Sequence, residues 1–205
     1  MAAASRILGI DPGLQVVGYA VLESAASGAQ LCEAGVIRTA DGRNPPDMAK
    51  RLKVIYDSIV EIFEQWKPNI IVVEQLYAHY EHPRTAILMG HARGLFFLLG
   101  GQNDVPVLSY PATKIKKTIT GSGRAGKEQM QYAIMREFRL AAPPEPNDVS
   151  DAIAVALCHY FLGSPTLRGP RSAAYTGVNT KALFGKDDDE PDEDSVPDEP
   201  TDDTP

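Results

Sequence analysis

Two short apolar runs, Ile7-Leu8-Gly9-Ile10 and Ile70-Ile71-Val72-Val73, each end on an acid, Asp11 and Glu74. Runs of this length bounded by polar or turn residues read as strands buried on both faces. Between them Leu52, Ile55, Ile59 and Ile62 recur at helical spacing, behind a capping Asp47 and ahead of the stop at Lys67-Pro68. Strand, helix, strand implies a right-handed crossover that lays the second run parallel to a partner, most simply the first run. Asp11 and Glu74 then stand side by side at one edge of a sheet.

The remaining pattern fills in an α/β fold. Residues 6–11, 15–24 and 30–38 read as an antiparallel meander with turns at Pro12-Gly13 and Ser27-Gly28. A strand over 69–75 follows the first helix. Pro83 opens a helix to about Leu99 that is apolar nearly all round, so a single contact face cannot bury it. A short strand at 105–109, a helical turn at 112–118, a glycine-rich loop at 121–126 and helices at 127–139 and 148–162 complete a mixed five-stranded sheet flanked by helices. Beyond Gly163 the apolar periodicity ends. Residues 1–163 are expected to form one domain, and 164–205 a C-terminal extension.

Asp148 and Asp151 open the last helix at i, i+3 spacing and so share a face of it. Laid across the sheet edge, that helix brings four acids together. Each has a plain alternative: Asp-Pro-Gly is turn chemistry, and acids suit a helix N-terminus. Glu74 resists this, because an ionisable group ending Ile-Ile-Val-Val is costly to desolvate without a cation or donor nearby. Four clustered carboxylates repel one another unless cations hold them, and hard ions such as Mg²⁺ prefer oxygen ligands. The chemistry this suggests is metal-assisted phosphodiester cleavage. Two ions would share the acids and leave a 5′ phosphate and a 3′ hydroxyl.

The net charge of −7 hides an uneven distribution. Residues 187–205 hold 11 of the 27 acids and no Lys or Arg, which leaves 16 acids against 20 bases in the rest of the chain. Lys114, Lys116, Lys117, Arg124 and Lys127 cluster without an acid among them until Glu128, the footprint of a polyanion binder. Gly121, Gly123 and Gly126 satisfy GxGxxG, and Gly121 to Lys127 satisfies GxxxxGK. The first lacks a convincing preceding strand and the second has Glu128 where a nucleotide-binding loop needs Ser or Thr, so a phosphate-contacting loop with Lys127 is preferred. Tyr77, just beyond Glu74, is placed to wedge or stack against a base. His91 and His159 sit in apolar helices and are expected to be core residues, as are Cys32 and Cys158.

Two cysteines without CxxC spacing fit a reduced compartment, and no apolar run approaches the roughly 18 residues that cross a bilayer. A cytoplasmic protein without a membrane partner is expected. The acidic segment from Asp187 cannot bury enough apolar surface to order itself. It is expected to be disordered, either solubilising the chain or competing with DNA phosphates for the lysines.

Taken in order, Gly9-Ile10-Asp11-Pro12-Gly13 with Gly18-Tyr19, Glu74-Gln75, GHARG from Gly90 to Gly94, Lys116 and Lys127 around the glycine loop, and Asp148-x-x-Asp151-Ala152 resemble the RuvC-type Holliday junction resolvases. The resemblance implies a ribonuclease H-like fold and a homodimer that nicks four-way DNA junctions in pairs. It places the reaction in homologous recombination and DNA repair, with Mg²⁺ as cofactor (Mn²⁺ as a substitute ion) and RuvA and RuvB as partners. By that match Asp11, Glu74, Asp148 and Asp151 are catalytic and metal-binding, and Lys116 and Lys127 contact DNA. Lys114, Lys117 and Tyr77 are further candidate contacts.

Three rivals remain. A ribonuclease H-like nuclease acting on RNA–DNA hybrids or other branched DNA shares every acid. A sugar-kinase-type phosphotransferase would need a second domain that 205 residues cannot supply. A non-catalytic junction binder has no need of four carboxylates.

Overall fold

The computed structural model describes residues 5–25, 27–40, 47–76 and 83–163. Tyr77, the expected disorder from Asp187 and the whole extension 164–205 lie outside the described residues. The elements are β1 (Ser5–Asp11), β2 (Val16–Ala25), β3 (Gly28–Arg38), α1 (Met48–Trp66), β4 (Ile70–Glu74), α2 (Pro83–Gln102), β5 (Val107–Tyr110), α3 (Ala112–Thr120), α4 (Lys127–Phe138) and α5 (Asn147–Gly163). The sheet order is β3-β2-β1-β4-β5. β1, β2 and β3 form the antiparallel meander, while β4 pairs parallel to β1 and β5 parallel to β4.

Strand alternation sends neighbouring residues to opposite faces. Leu8, Ile10, Ile71 and Val73 pack with Ile55, Ile59 and Phe63 of α1 and with Ala92, Phe96 and Leu99 of α2. Ile7 and Val72 face the other way, into a core with Ile115, Met130, Ile134 and the buried residues of α5. The same alternation puts Asp11 and Glu74 on the α5 side.

How close α5 lies to the sheet is set by two glycines. A Cβ on Gly9 would stand 2.6 Å from the carbonyl oxygen of Ala152 and 2.7 Å from the Ala156 Cβ. One on Gly18 would collide with the carbonyl of Asp148. Gly18 pairs with Asp11 across β1 and β2, so the helix touches the sheet where the first acid stands. Gly18→Ala is therefore expected to push the start of α5 outward, lowering stability by about 1–3 kcal/mol and moving Asp148 and Asp151 away from Asp11. A melting curve together with a nicking assay reads both effects, and a variant with parent stability and activity would mean that this close approach is dispensable.

Several boundaries and burials differ from the sequence reading. β5 spans 107–110 rather than 105–109, because the Val105 N–H closes the end of α2 by donating to Gly100 at 2.9 Å and Pro106 has no N–H to give a ladder. β3 begins at Gly28, two residues earlier than the reading from residue 30. The turn at 112–118 is a full helix to Thr120, closed by Gly121 at φ 82°. His91 is exposed rather than a core residue, with Nδ1 2.8 Å from the carbonyl of Ile87, since α2 turns the stripe of Ala92, Phe96 and Leu99 to the sheet. Cys32 is only half-buried. It falls where the register between β2 and β3 slips, on an edge strand. Cys158 is buried, and His159 is half-buried with Nδ1 2.9 Å from the Tyr110 hydroxyl. Among the described residues no helix is long and apolar enough to cross a membrane.

Candidate active site

Asp11 is the last residue of β1 and Glu74 the last of β4, one step beyond the paired Ile10 and Val73. Asp148 and Asp151 lie in the first turns of α5. The expected convergence is present: the charges of Glu74, Asp151 and Asp148 all act on Asp11. Burial is the larger cause, and together they push the Asp11 carboxyl up to about 7. Glu74 is raised by burial and then by Asp151, with Lys116 opposing. Asp151 is raised by burial and by Asp148, against the pull of Lys127 and Lys116.

The loop after Asp11 is held from below. Thr39 Oγ1 donates to the carbonyl of Leu14 at 2.7 Å, and Arg51 of α1 donates to the same carbonyl at 3.0 Å and to Thr39 Oγ1 at 3.1 Å. The start of α5 is fixed by Gln131 of α4, which donates to Asn147 at 3.0 Å, and by Ser150, which donates to the Pro144 carbonyl at 2.9 Å. The clamp on the Leu14 carbonyl carries no local sequence signal: Arg51 is a polar position of an amphipathic helix, and Thr39 lies just beyond the end of β3.

The basic patch divides. Lys116 and Lys127 line one cleft with Glu74 and Asp151. Lys114 lies with Nζ 5.5 Å from the centre of the Tyr110 ring, and Lys117 is exposed at the end of α3. The glycine loop joins two helices: Gly121 caps α3, and the Gly126 N–H, at the start of α4, donates to the Gln129 side chain at 3.0 Å. A nucleotide-binding loop would follow a strand, so that motif match fails.

The donor chemistry fits a hard divalent cation. All four groups are carboxylates, and the burial that raises Asp11, Glu74 and Asp151 is a cost that a cation would return. Among the described residues no three His, Cys, Asp or Glu side chains are already gathered tightly enough to hold an ion. The acids are electrostatic neighbours, with Lys116 and Lys127 offsetting part of their repulsion at Glu74 and Asp151.

Residues 7–159 match the model of the family described as "Crossover junction endodeoxyribonuclease RuvC". The chain belongs to the RuvC family. The family protein of Rhodopirellula baltica is 46% identical over 166 residues, covering 80% of this chain and 90% of that one. A solved RuvC structure from Thermus thermophilus aligns with TM-score 0.69 at 27% identity, over 77% of this chain and 95% of its own. A second from that organism, in complex with a Holliday junction substrate, aligns with TM-score 0.68 at 24% identity over 77% and 94%. The mixed five-stranded sheet with its helices is thus the ribonuclease H-like fold of RuvC.

Proposed function

We propose that this chain is a Mg²⁺-dependent endonuclease that resolves four-way DNA junctions; its relatives carry the name crossover junction endodeoxyribonuclease. The observation that carries the reading is the meeting of Asp11, Glu74, Asp148 and Asp151 at one sheet edge, beside Lys116 and Lys127, in a RuvC family member. The four carboxylates would hold the metal, two ions per site with Mn²⁺ as substitute. When bound, the ions supply Lewis-acid stabilisation of charge developing on the phosphodiester. The chain's own residues do the rest. Their rigid mounting on strand ends and a glycine-seated helix fixes where the phosphate must lie, and Lys116 and Lys127 hold it there. Lys114, Lys117 and Tyr77 extend the DNA contact.

A four-way junction has two strands to cut symmetrically, which suits a two-fold dimer with one site per subunit. α2 is the face we assign to that dimer, since Ile87 and Leu98 leave 62% and 51% of their surface exposed. Residues 1–163 would be the nuclease domain, and 164–205 an extension whose acids either solubilise the chain or compete for the lysines. RuvA and RuvB are the expected partners, in the cytoplasm.

The test is an assay in Mg²⁺ on a synthetic four-way junction beside linear duplex and an RNA–DNA hybrid. Paired symmetric nicks in the junction alone are expected; preferential cutting of the hybrid would favour the other ribonuclease H-like activity. Lys116→Ala and Lys127→Ala should each weaken junction binding and lower the slope of log affinity against log salt by about one. Slopes equal to the parent's would take both lysines off the DNA path.

A further inference from the structure

α5 crosses the sheet and is tied to it near both ends. Its first half sits on β2 and β1, where Gly18 faces the Asp148 carbonyl and Gly9 faces Ala152 and Ala156. Its second half reaches the edge strand β5, where His159 Nδ1 stands 2.9 Å from the Tyr110 hydroxyl and the two rings stack with centres 6.0 Å apart. Asp151 lies on the same rod about 12 Å before His159. A rod seated at one place can pivot; the second tie fixes its direction, and with it where Asp148 and Asp151 stand.

Tyr110 also holds the strand that ends on Glu74. The two residues are register partners across β4 and β5. The Tyr110 carbonyl accepts the N–H of Gln75 at 3.0 Å, which closes the ladder one step past Glu74. A single buried residue thus fixes the backbone under Glu74 and, through its hydroxyl, the helix that carries two further acids. Burial pushes the His159 imidazole below the usual histidine range, so near neutral pH the ring is uncharged and Nδ1 can pair with a hydroxyl.

We infer that Tyr110 and His159 are a positioning pair for the reaction: their contact sets how far Asp148 and Asp151 stand from Glu74, and so how tightly the acids take a divalent ion. This rests on the metal-dependent nuclease reading given above. Tyr110→Phe removes only the hydroxyl and keeps the ring on which Lys114 Nζ stands, so it separates this role from contact with DNA.

The experiment titrates Mn²⁺ into the full chain, read by electron paramagnetic resonance, and follows melting and junction binding in EDTA and nicking against Mg²⁺ concentration. Tyr110→Phe should weaken Mn²⁺ binding and raise the Mg²⁺ needed for half-maximal nicking by about tenfold, the usual effect of losing a group that orients metal ligands. Junction binding in EDTA should stay at the parent's level. His159→Leu should behave alike, whereas His159→Asn, whose amide oxygen can take the place of Nδ1, should bind Mn²⁺ as the parent does. The double variant Tyr110→Phe/His159→Leu should be no weaker than either single one, because both changes remove the same contact. Parent-like Mn²⁺ affinity in Tyr110→Phe and His159→Leu, with or without a lower Tm, overturns the inference and leaves the pair a core contact. A double variant whose loss is the product of the single losses overturns it too. A parent that neither binds Mn²⁺ nor nicks junctions overturns the nuclease reading, and this role with it.

Discussion

Glu74→Gln is expected to abolish nicking, with a loss on the order of 10³-fold or more, while junction binding survives. Glutamine keeps the shape of the side chain but removes the charge at the end of β4, where the carboxylate lies in one cleft with Asp151, Lys116 and Lys127. DNA affinity depends on the lysines, and losing an acid beside them relieves repulsion of phosphate rather than adding to it. Binding and cleavage followed on one labelled junction separate the two roles. Equal loss of both would make Glu74 a structural residue.

Asp11 governs the second large effect, the response of the metal-free protein to pH. Burial, and then the charges of Glu74, Asp151 and Asp148, push its carboxyl from the ordinary aspartate value of 3.8 up to about 7 in the folded chain. The neutral form is therefore the one folding prefers. Below about pH 4 both states are protonated and there is no penalty. As pH rises the unfolded chain ionises first, so stability falls until the folded pKa is passed and then levels off. The full penalty is about 4 kcal/mol, which for a chain of this size is a decrease in Tm on the order of 10 °C. Melting in EDTA from pH 4 to pH 8 should show that decline, and Mg²⁺ should reverse it at the upper end. Asp11→Asn should flatten the profile, leaving a metal-free protein at pH 8 that is more stable than the parent and inactive. A parent profile flat between pH 4 and 8 would mean that the acids are better solvated than this packing implies.

How far the site was legible follows from which signals are local. Ile7 to Ile10 and Ile70 to Val73 are apolar on both strand faces, and the helix between them forces the parallel pair, so the sheet's centre and the meeting of Asp11 with Glu74 could be reasoned from pattern alone. The i, i+3 acids of α5 joined them because a helix carries its face with it. Burial of individual side chains was less accessible. His91 lies in an apolar helix yet faces outward, because which stripe of an all-apolar helix meets the sheet is a tertiary choice that periodicity cannot make. Cys32 is half-exposed because a register slip, invisible in residue types, falls beside it. The clamp of Arg51 and Thr39 on the Leu14 carbonyl, and the division of four neighbouring lysines between the cleft and other surfaces, arise only when distant segments fold together.

The central claim is that the acids ending β1 and β4 and opening α5 act together as one cation site. Direct binding of Mn²⁺ at pH 8, read by its electron paramagnetic resonance, tests it in the parent and in Asp11→Asn, Glu74→Gln, Asp148→Asn and Asp151→Asn. Saturable binding by the parent, weakened in all four variants while their folds persist, is the predicted result; binding in the variants equal to the parent's would contradict it.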